Sequence, residues 1–264
     1  MNLDLAQRHV VITGGSKGIG LACAEEFLNE GAIVTLISRQ SENLKIALNK
    51  LLALGHPEEK IQTIAADLSR QELALKALDV AEAKTGHVHI LVNSAGAAKR
   101  TPAAELSPQA WMEAMQSKFF TYINMMDPVI KRMATRGKGS IVNIIGQGGK
   151  VASPQHLAGG SANAALMLAS AGLANAYAHL GVRVNGINPG NTLTERLQKN
   201  IAVEAKLKEI SEQQAEAQLT NKLPLGRMAE PKEIAQAVLF LSSDRASYIT
   251  GVILQMDGAL TPMV

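Results

Sequence analysis

The feature that most constrains this chain lies near its start. The β-branched apolar run His9–Thr13 leads without a break into Gly14-Gly15-Ser16-Lys17-Gly18-Ile19-Gly20, and an apolar-periodic helix is predicted over Gly18–Glu30. A pyrophosphate needs backbone free of side chains close to it and a helix N-terminus pointing at it, and a strand-turn-helix unit of this kind supplies both. Glycines alone often make only tight turns, but here they fall in the first such unit and a second strand follows. Gly14, Ser16, Lys17, Gly18, Ile19 and Gly20 are therefore candidate cofactor-binding residues.

Beyond that turn, short β-branched runs alternate with longer helical patterns. Strands are expected at Ile33–Ser38, Ile61–Ala65, Ile90–Asn93, Ser140–Ile145, Val182–Asn188 and Ile253–Gln255, and helices near Glu42–Leu54, Arg70–Lys84, Pro108–Arg136, Gln155–Leu180 and Pro231–Ser242. This alternation predicts an α/β fold of the Rossmann type, a doubly wound parallel sheet with helices on both faces. No repeat or linker divides residues 1–264, so one domain is expected. The stretch 193–221, rich in Glu, Lys, Gln and Ala, reads as a helical insertion at the carboxyl edge of the sheet, placed to act as a substrate lid.

Composition narrows the functional classes. With 47% hydrophobic and 19% charged residues and a net charge of +3, the cations are interspersed with acids, and neither nucleic acid nor a membrane surface is an expected partner. The expected partner is a small-molecule substrate. The single cysteine, Cys23, sits in an apolar helix pattern and reads as a core residue, which with the lack of a leader-like N-terminus points to a cytoplasmic protein. His87 and His89 share one face of a strand start without acidic or thiol companions, so no metal site is expected. Met112, Met115, Met125, Met126 and Met133 read as packing residues.

Eighteen residues separate Gly20 from Ser38-Arg39, the place where an acidic residue would select NAD. Arg39 together with Lys17 can instead neutralise a 2′-phosphate through charge-assisted hydrogen bonds, so NADP(H) is expected in preference to NAD(H). The alternative is that both are solvated surface charges.

With T-G-G-S-K-G-I-G at Thr13–Gly20, Asp67-Leu68, Asn93-Ser94-Ala95-Gly96, Asn188-Pro189-Gly190, Pro224-Leu225-Gly226-Arg227, Glu230-Pro231-Lys232-Glu233-Ile234-Ala235, Tyr248-Ile249-Thr250-Gly251 and Asp257-Gly258, the chain resembles the short-chain dehydrogenase/reductase family over nearly its whole length. The resemblance implies that Asp67 and Leu68 lie at the adenine end. It further implies that Asn93, Ala95 and Gly96 shape the sheet and cofactor cleft, that Pro189, Gly190 and Thr192 line the nicotinamide side, and that the protein is a homo-oligomer, a dimer or tetramer joined by the two long helices.

The family's Asn-Ser-Tyr-Lys catalytic quartet is where the chain departs. An ungapped count puts Gly146 at the Ser position, Gly159 at the Tyr position, Asn163 at the Lys position and Lys118 at the Asn position. Asn and Lys are exchanged, so either the Lys118 ammonium enters the volume vacated at residue 163 or Lys118 is a solvated helix residue. His156 is an expected substitute acid on its ordinary titration range, the alternative being a water-exposed helix start; Gln147 and Gln155 are further hydrogen-bond donors. The catalytic candidates are thus Lys118, His156 and Asn163. The leading reading is an NADP(H)-dependent oxidoreductase acting on a carbonyl or alcohol with a non-standard site. A non-redox enzyme on the same scaffold and an NADP(H)-binding sensor are the other two. Gly159-Gly160 inside a helix should cost about 1 kcal/mol each relative to Ala, which calls for an offsetting contact.

Overall fold

A computed structural model describes residues 2–262; Met1, Met263 and Val264, the ends of the expected 1–264 domain, lie outside the described residues. Seven strands form one parallel sheet in the order β3-β2-β1-β4-β5-β6-β7. They are β1 (His9–Thr13), β2 (Ile33–Ser38), β3 (Ile61–Ala65), β4 (Ile90–Asn93), β5 (Gly139–Ile144), β6 (Val182–Pro189) and β7 (Ile253–Met256). The order reverses between β1 and β4. In open parallel sheets that is where the crevice at the carboxyl ends of the strands receives a ligand.

The pleat sends alternate residues to opposite layers. Val10, Ile12, Val34, Leu36, Val92 and Val142 pack against α1 (Gly18–Asn29), α2 (Ser41–Ala53) and, with Ile144 and Ile187, the last helix, Pro231–Ser242. Val11, Ile37, Leu91, Ile141 and Val184 face α3 (Gln71–Thr85) and the long helices behind the sheet. There Met125, Met126 and Met133 are fully buried, at about 1.5–3 kcal/mol each for the side chain removed from water. Cys23 is buried in the first of these layers, and its thiol is pushed up by that burial.

The helix expected over Pro108–Arg136 is divided. α4 (Pro108–Ala114), capped by the Ser107 hydroxyl, passes into a π turn at Met115–Phe120 before α5 (Thr121–Arg136). Such wide turns are rare and recur at functional sites, and this one carries Lys118. α6 (Leu157–Tyr177) follows β5, and the 193–221 stretch forms α7 (Glu195–Lys208) and α8 (Glu212–Thr220) around a small core of Ile201, Ala205, Ala215, Leu223 and Met228. α9 (Pro231–Ser242) opens on a capping box between Glu230 and Glu233, with Pro231 in its first turn. The Arg227 guanidinium grips Glu233 at 2.7 and 2.8 Å and holds that carboxyl at about 2, aided by the Glu230 amide. The P-L-G-R and E-P-K-E-I-A motifs are thereby a helix start. By length and composition α6 with the turn after it, Leu157–Leu180, reaches the size of a membrane span, but half of its most apolar window is buried inside the protein.

The two glycines of α6 have their offset. A Cβ at Gly160 would stand 2.6 Å from the Gly148 carbonyl oxygen, and one at Gly159 would meet the His156 ring. Close approach by the Gln147–Gly149 turn and by an imidazole explains both.

His9 and His89, at the amino ends of the central strands β1 and β4, are structural. The His9 ring spans the Gly86 carbonyl at 2.7 Å and the Thr35 hydroxyl at 2.9 Å, and His89 Nδ1 accepts the His9 amide at 3.0 Å. Burial, with His87 and Arg8 nearby, lowers His89 to about 4. A histidine depressed from 6.5 stabilises the fold above pH 6.5 and loses that contribution as pH falls toward 4, because the unfolded chain binds the proton first. His89→Asn keeps an acceptor for the His9 amide and removes the titration. We expect its Tm to fall less than that of the parent between pH 6.5 and 4.5 by differential scanning calorimetry, and an equal fall would contradict this account.

Candidate active site

The glycine turn is built by backbone contact. Gly14 has φ of +67°, and a Cβ there would lie 2.8 Å from Ala95 N; a Cβ at Gly20 would lie 2.9 Å from the Gly14 carbonyl carbon. The Thr13 hydroxyl accepts the Ser94 and Ala95 amides at 3.2 Å each, tying the ends of β1 and β4 together. No side chain caps the N-terminus of α1 and its first turn holds no acid, so its leading N–H groups are open to an anion. The Ser16 hydroxyl donates to Ser38 at 3.0 Å and fixes the turn to the end of β2.

A cavity of about 900 Å³ runs from this turn past Ser38, Arg39, Asp67 and Leu68 to Ser94–Ala97 and the π turn. Burial raises the Asp67 carboxyl, but the hydroxyl and amide of Ser69 (2.8 and 3.1 Å), with Arg39 and Arg70, bring it below its ordinary value. Lys17 reaches across to Glu195 at 3.5 Å; both groups are exposed, so the pair is worth at most about 1 kcal/mol and yields readily to a phosphate. Gly96, φ +93°, brings backbone against the Ser117 carbonyl. A Cβ at Gly190 would stand 2.8 Å from Asp257, so this glycine also admits the C-terminal segment. Thr192 is buried, donates to the Gly190 carbonyl at 3.2 Å, and joins Ala229 in a parallel bridge.

Asn93 serves the sheet. Its amide donates to Asn143 Oδ1 at 2.9 Å and its oxygen accepts from Thr13, and the line continues from Asn143 to Ser170 at 2.9 Å and to the Leu166 carbonyl at 2.7 Å. This buried chain crosses β1, β4, β5 and α6 beneath the site. Asn143 and Ser170 escaped the sequence reading because each looks like an ordinary polar interruption.

Lys118 is not a solvated helix residue. It is 7% exposed, and its Nζ donates to the Tyr122 hydroxyl at 2.8 Å and to the Ile144 carbonyl at 3.4 Å, at the end of β5. Tyr122 in turn donates to the same carbonyl. Burial, with Arg196 nearby, brings the Lys118 ammonium down to about 7. Its i,i+4 spacing to Tyr122 was the available sequence signal. Asn163 is buried, and its Oδ1 has no hydrogen-bond partner among the described residues. Its amide nitrogen would stand 3.4 Å from a Cβ on Gly146. Gly146 itself holds φ +123° and donates its N–H to Asn188 at 3.3 Å, a backbone that disfavours any L side chain.

His156 is half-buried at the start of α6, not a freely solvated residue. Its ring fills the space where a residue 159 side chain would begin: a Cβ there would stand 2.6 Å from Nε2 and 2.8 Å from Nδ1. Nδ1 is buried without a partner. Burial lowers this imidazole first, then Arg100, Arg196 and Lys118. Gln147, in contrast, is not free to donate to a substrate; its amide is spent on Asp257 and on Thr261, the latter at 2.6 Å.

The sequence profile of the family described as Enoyl-(Acyl carrier protein) reductase matches residues 14–261. The chain is a short-chain dehydrogenase/reductase. The chain is 34% identical to D-threitol dehydrogenase of Mycolicibacterium smegmatis, over 95% of this chain and 92% of that one. It is 29% identical to gluconate 5-dehydrogenase of Gluconobacter oxydans, covering 98% and 96%. Among solved structures, L-sorbose reductase of Gluconobacter frateurii complexed with NADPH and L-sorbose superposes with a TM-score of 0.93 at 28% identity, covering 100% of both chains. An NADPH-bound short-chain oxidoreductase of Pseudomonas aeruginosa PAO1 containing an atypical catalytic center does so with a TM-score of 0.89 at 32% identity, covering 99% of both.

Proposed function

We propose that this chain is an NADP(H)-dependent oxidoreductase that interconverts a small carbonyl compound and its alcohol at a catalytic site rebuilt from His156, Lys118 and Asn163. One observation carries the reading: the His156 ring stands in the space over Gly159, where the family's Tyr would project its side chain. The NADPH-bound relatives, one of them with an atypical catalytic center, support it.

The residues present fit the cofactor. Gly14, Gly18, Ile19 and Gly20, with the uncapped start of α1, would hold the pyrophosphate, and Lys17, Ser38 and Arg39 the 2′-phosphate. Asp67, Leu68, Ala95 and Gly96 would line the adenosine half; Pro189, Gly190 and Thr192 would line the nicotinamide half. When bound, NADPH supplies a hydride to the carbonyl carbon. The protein's share is the proton at the carbonyl oxygen and the charge around it. In the protonated form His156 donates that proton; in alcohol oxidation the neutral ring accepts it. Lys118, shielded from water and able to lose or hold its proton near pH 7, supplies positive charge from beneath the site. Asn163, whose amide nitrogen lies toward Gly146, has a buried carbonyl oxygen without a partner among the described residues. α7 and α8 act as the lid over residues 193–221, and the exposed apolar residues Trp111, Met112 and Leu168 form the contact between subunits of a homo-oligomer.

The test is stoichiometry. In a carbonyl screen, NADPH oxidised at 340 nm should equal alcohol formed, mole for mole; product without NADPH loss would instead mean a non-redox enzyme, and tight binding without turnover a sensor. Lys118→Met separates catalytic from structural use of that lysine. Replacing an uncompensated buried cation by a chain of similar volume should leave Tm unchanged or raised, while turnover falls about tenfold or more. If turnover and NADPH affinity both stay unchanged, Lys118 has no part in the reaction.

A further inference from the structure

The charge at the substrate end of the cleft is one-sided. Arg196, in the first turn of α7, stands on the wall of the cavity that Ala97, Ser117 and Thr121 also line, close enough to act on Lys118 and Tyr122. Among the described residues it makes no salt bridge, and neither does Arg100. The carboxylates nearby are committed elsewhere: Glu195 turns back to Lys17, Glu204 pairs with Lys208 at 2.7 Å, and Glu113 accepts from Gln109 at 3.0 Å. The charged groups acting on the His156 ring are Arg100, Arg196 and Lys118, all cationic. Around His156 there are thus Arg100, Arg196 and Lys118, an imidazole atom without a partner and no acid acting on the ring; Glu204 acts on Arg100 but is paired with Lys208.

Like charges brought together around a cleft cost free energy unless something anionic is seated among them. A lone guanidinium on a cleft wall, with its planar fork unused, matches a carboxylate in two-point geometry. Lys17 and Arg39 are already assigned to the 2′-phosphate, which leaves the Arg196 guanidinium on the same cavity wall without an anion of its own.

We propose that the substrate carries a carboxylate, seated against the guanidinium of Arg196 and within the field of Arg100, so that its carbonyl or carbinol is directed to His156. This rests on the oxidoreductase reading and deepens it: the carboxylate supplies orientation and affinity, and the ring nitrogen supplies the proton. The acid and the reacting carbon then belong to one molecule, a keto or hydroxy acid.

The test uses matched probes on the full chain: 2-oxobutanoate, 4-oxopentanoate and 5-oxohexanoate, each against the ketone with a methyl group in place of its carboxylate. Binding is read by calorimetry with and without NADP, turnover by NADPH oxidation, and cofactor affinity by NADPH fluorescence. At least one keto acid should bind tenfold or more tightly than its ketone and have the higher kcat/KM. Arg196→Gln should raise the KM for that acid about tenfold or more, a larger effect than any on the ketone's KM, and leave NADPH affinity within twofold; Arg100→Gln should act in the same direction. Equal binding of acids and ketones, or no binding of any acid at millimolar concentration, would overturn the proposal. So would a loss of NADPH affinity in Arg196→Gln, which would make Arg196 a cofactor ligand. Should NADPH itself fail to bind the parent chain, the oxidoreductase reading falls, and calorimetry without cofactor still decides whether the carboxylate is held.

Discussion

His156→Gln should lower kcat/KM for carbonyl reduction by about 10² to 10⁴ while leaving NADPH affinity within twofold, because it removes the titratable proton and keeps a polar side chain of similar reach. The ring sits over Gly159, Gly146 contributes no hydroxyl, and the Lys118 ammonium is turned to Tyr122 and the Ile144 carbonyl, so the imidazole is the group placed to give the proton. The pH profile follows from the same contacts. Burial, then Arg100, Arg196 and Lys118, hold the imidazole below its ordinary 6.5. Reduction, which needs the protonated ring, should therefore decline as pH rises through that lowered value, and alcohol oxidation, which needs the neutral ring, should rise. Gly159→Ala tests the placement without touching the imidazole: its Cβ would fall 2.6 Å from Nε2, so the ring must leave. The expected loss is of the same order as that of His156→Gln, and the double variant should be no worse than either single one, as for groups acting as a unit. Additive losses would place the two residues in separate roles.

Gly20→Ala should cost NADPH affinity about 10- to 100-fold, with destabilisation of about 1–3 kcal/mol from overpacking. The added Cβ would lie 2.9 Å from the Gly14 carbonyl carbon, and the obstacle is backbone, which no rotamer change relieves. Either the first turn of α1 moves off or the glycine turn opens, and in both cases the N–H groups that would meet the pyrophosphate are displaced; a hydrogen bond to a charged group is worth about 1.5–3 kcal/mol. Gly172→Ala is the control, since nothing lies within 4 Å of its Cβ position, and there the gain in helix propensity should leave stability equal or higher. A Gly20→Ala protein that binds NADPH as the parent does would remove the turn from the cofactor site.

The sheet was legible because both of its faces are buried, so each strand reads as a short β-branched run bounded by a glycine turn or helix, and six of the seven strand starts match the expectation to the residue. β5 begins at Gly139, one residue early, since a glycine carries no strand signal. The π turn at Met115–Phe120 was not legible, because one extra residue per turn leaves the apolar period nearly unchanged over a single turn. At the site, the glycines at 14, 20 and 96 announced themselves through residue type. Of the partners of Lys118, Tyr122 was signalled by its i,i+4 spacing, whereas the Ile144 carbonyl at the end of β5 is brought to it only by packing. Arg196 was hidden for another reason: in a helix of Glu, Lys and Gln one more cation carries no signal until the fold sets it on the cavity wall.

The measurement that most directly tests the central claim is a fluorescence titration of the full chain with NADPH, with NADH as the comparison. The account predicts micromolar NADPH binding at least tenfold tighter than NADH binding, with the difference shrinking in Arg39→Ala as the 2′-phosphate loses its partner. Equal affinity for the two would remove Lys17 and Arg39 from the phosphate site, and binding of neither would contradict the assignment of this cleft to a nicotinamide cofactor.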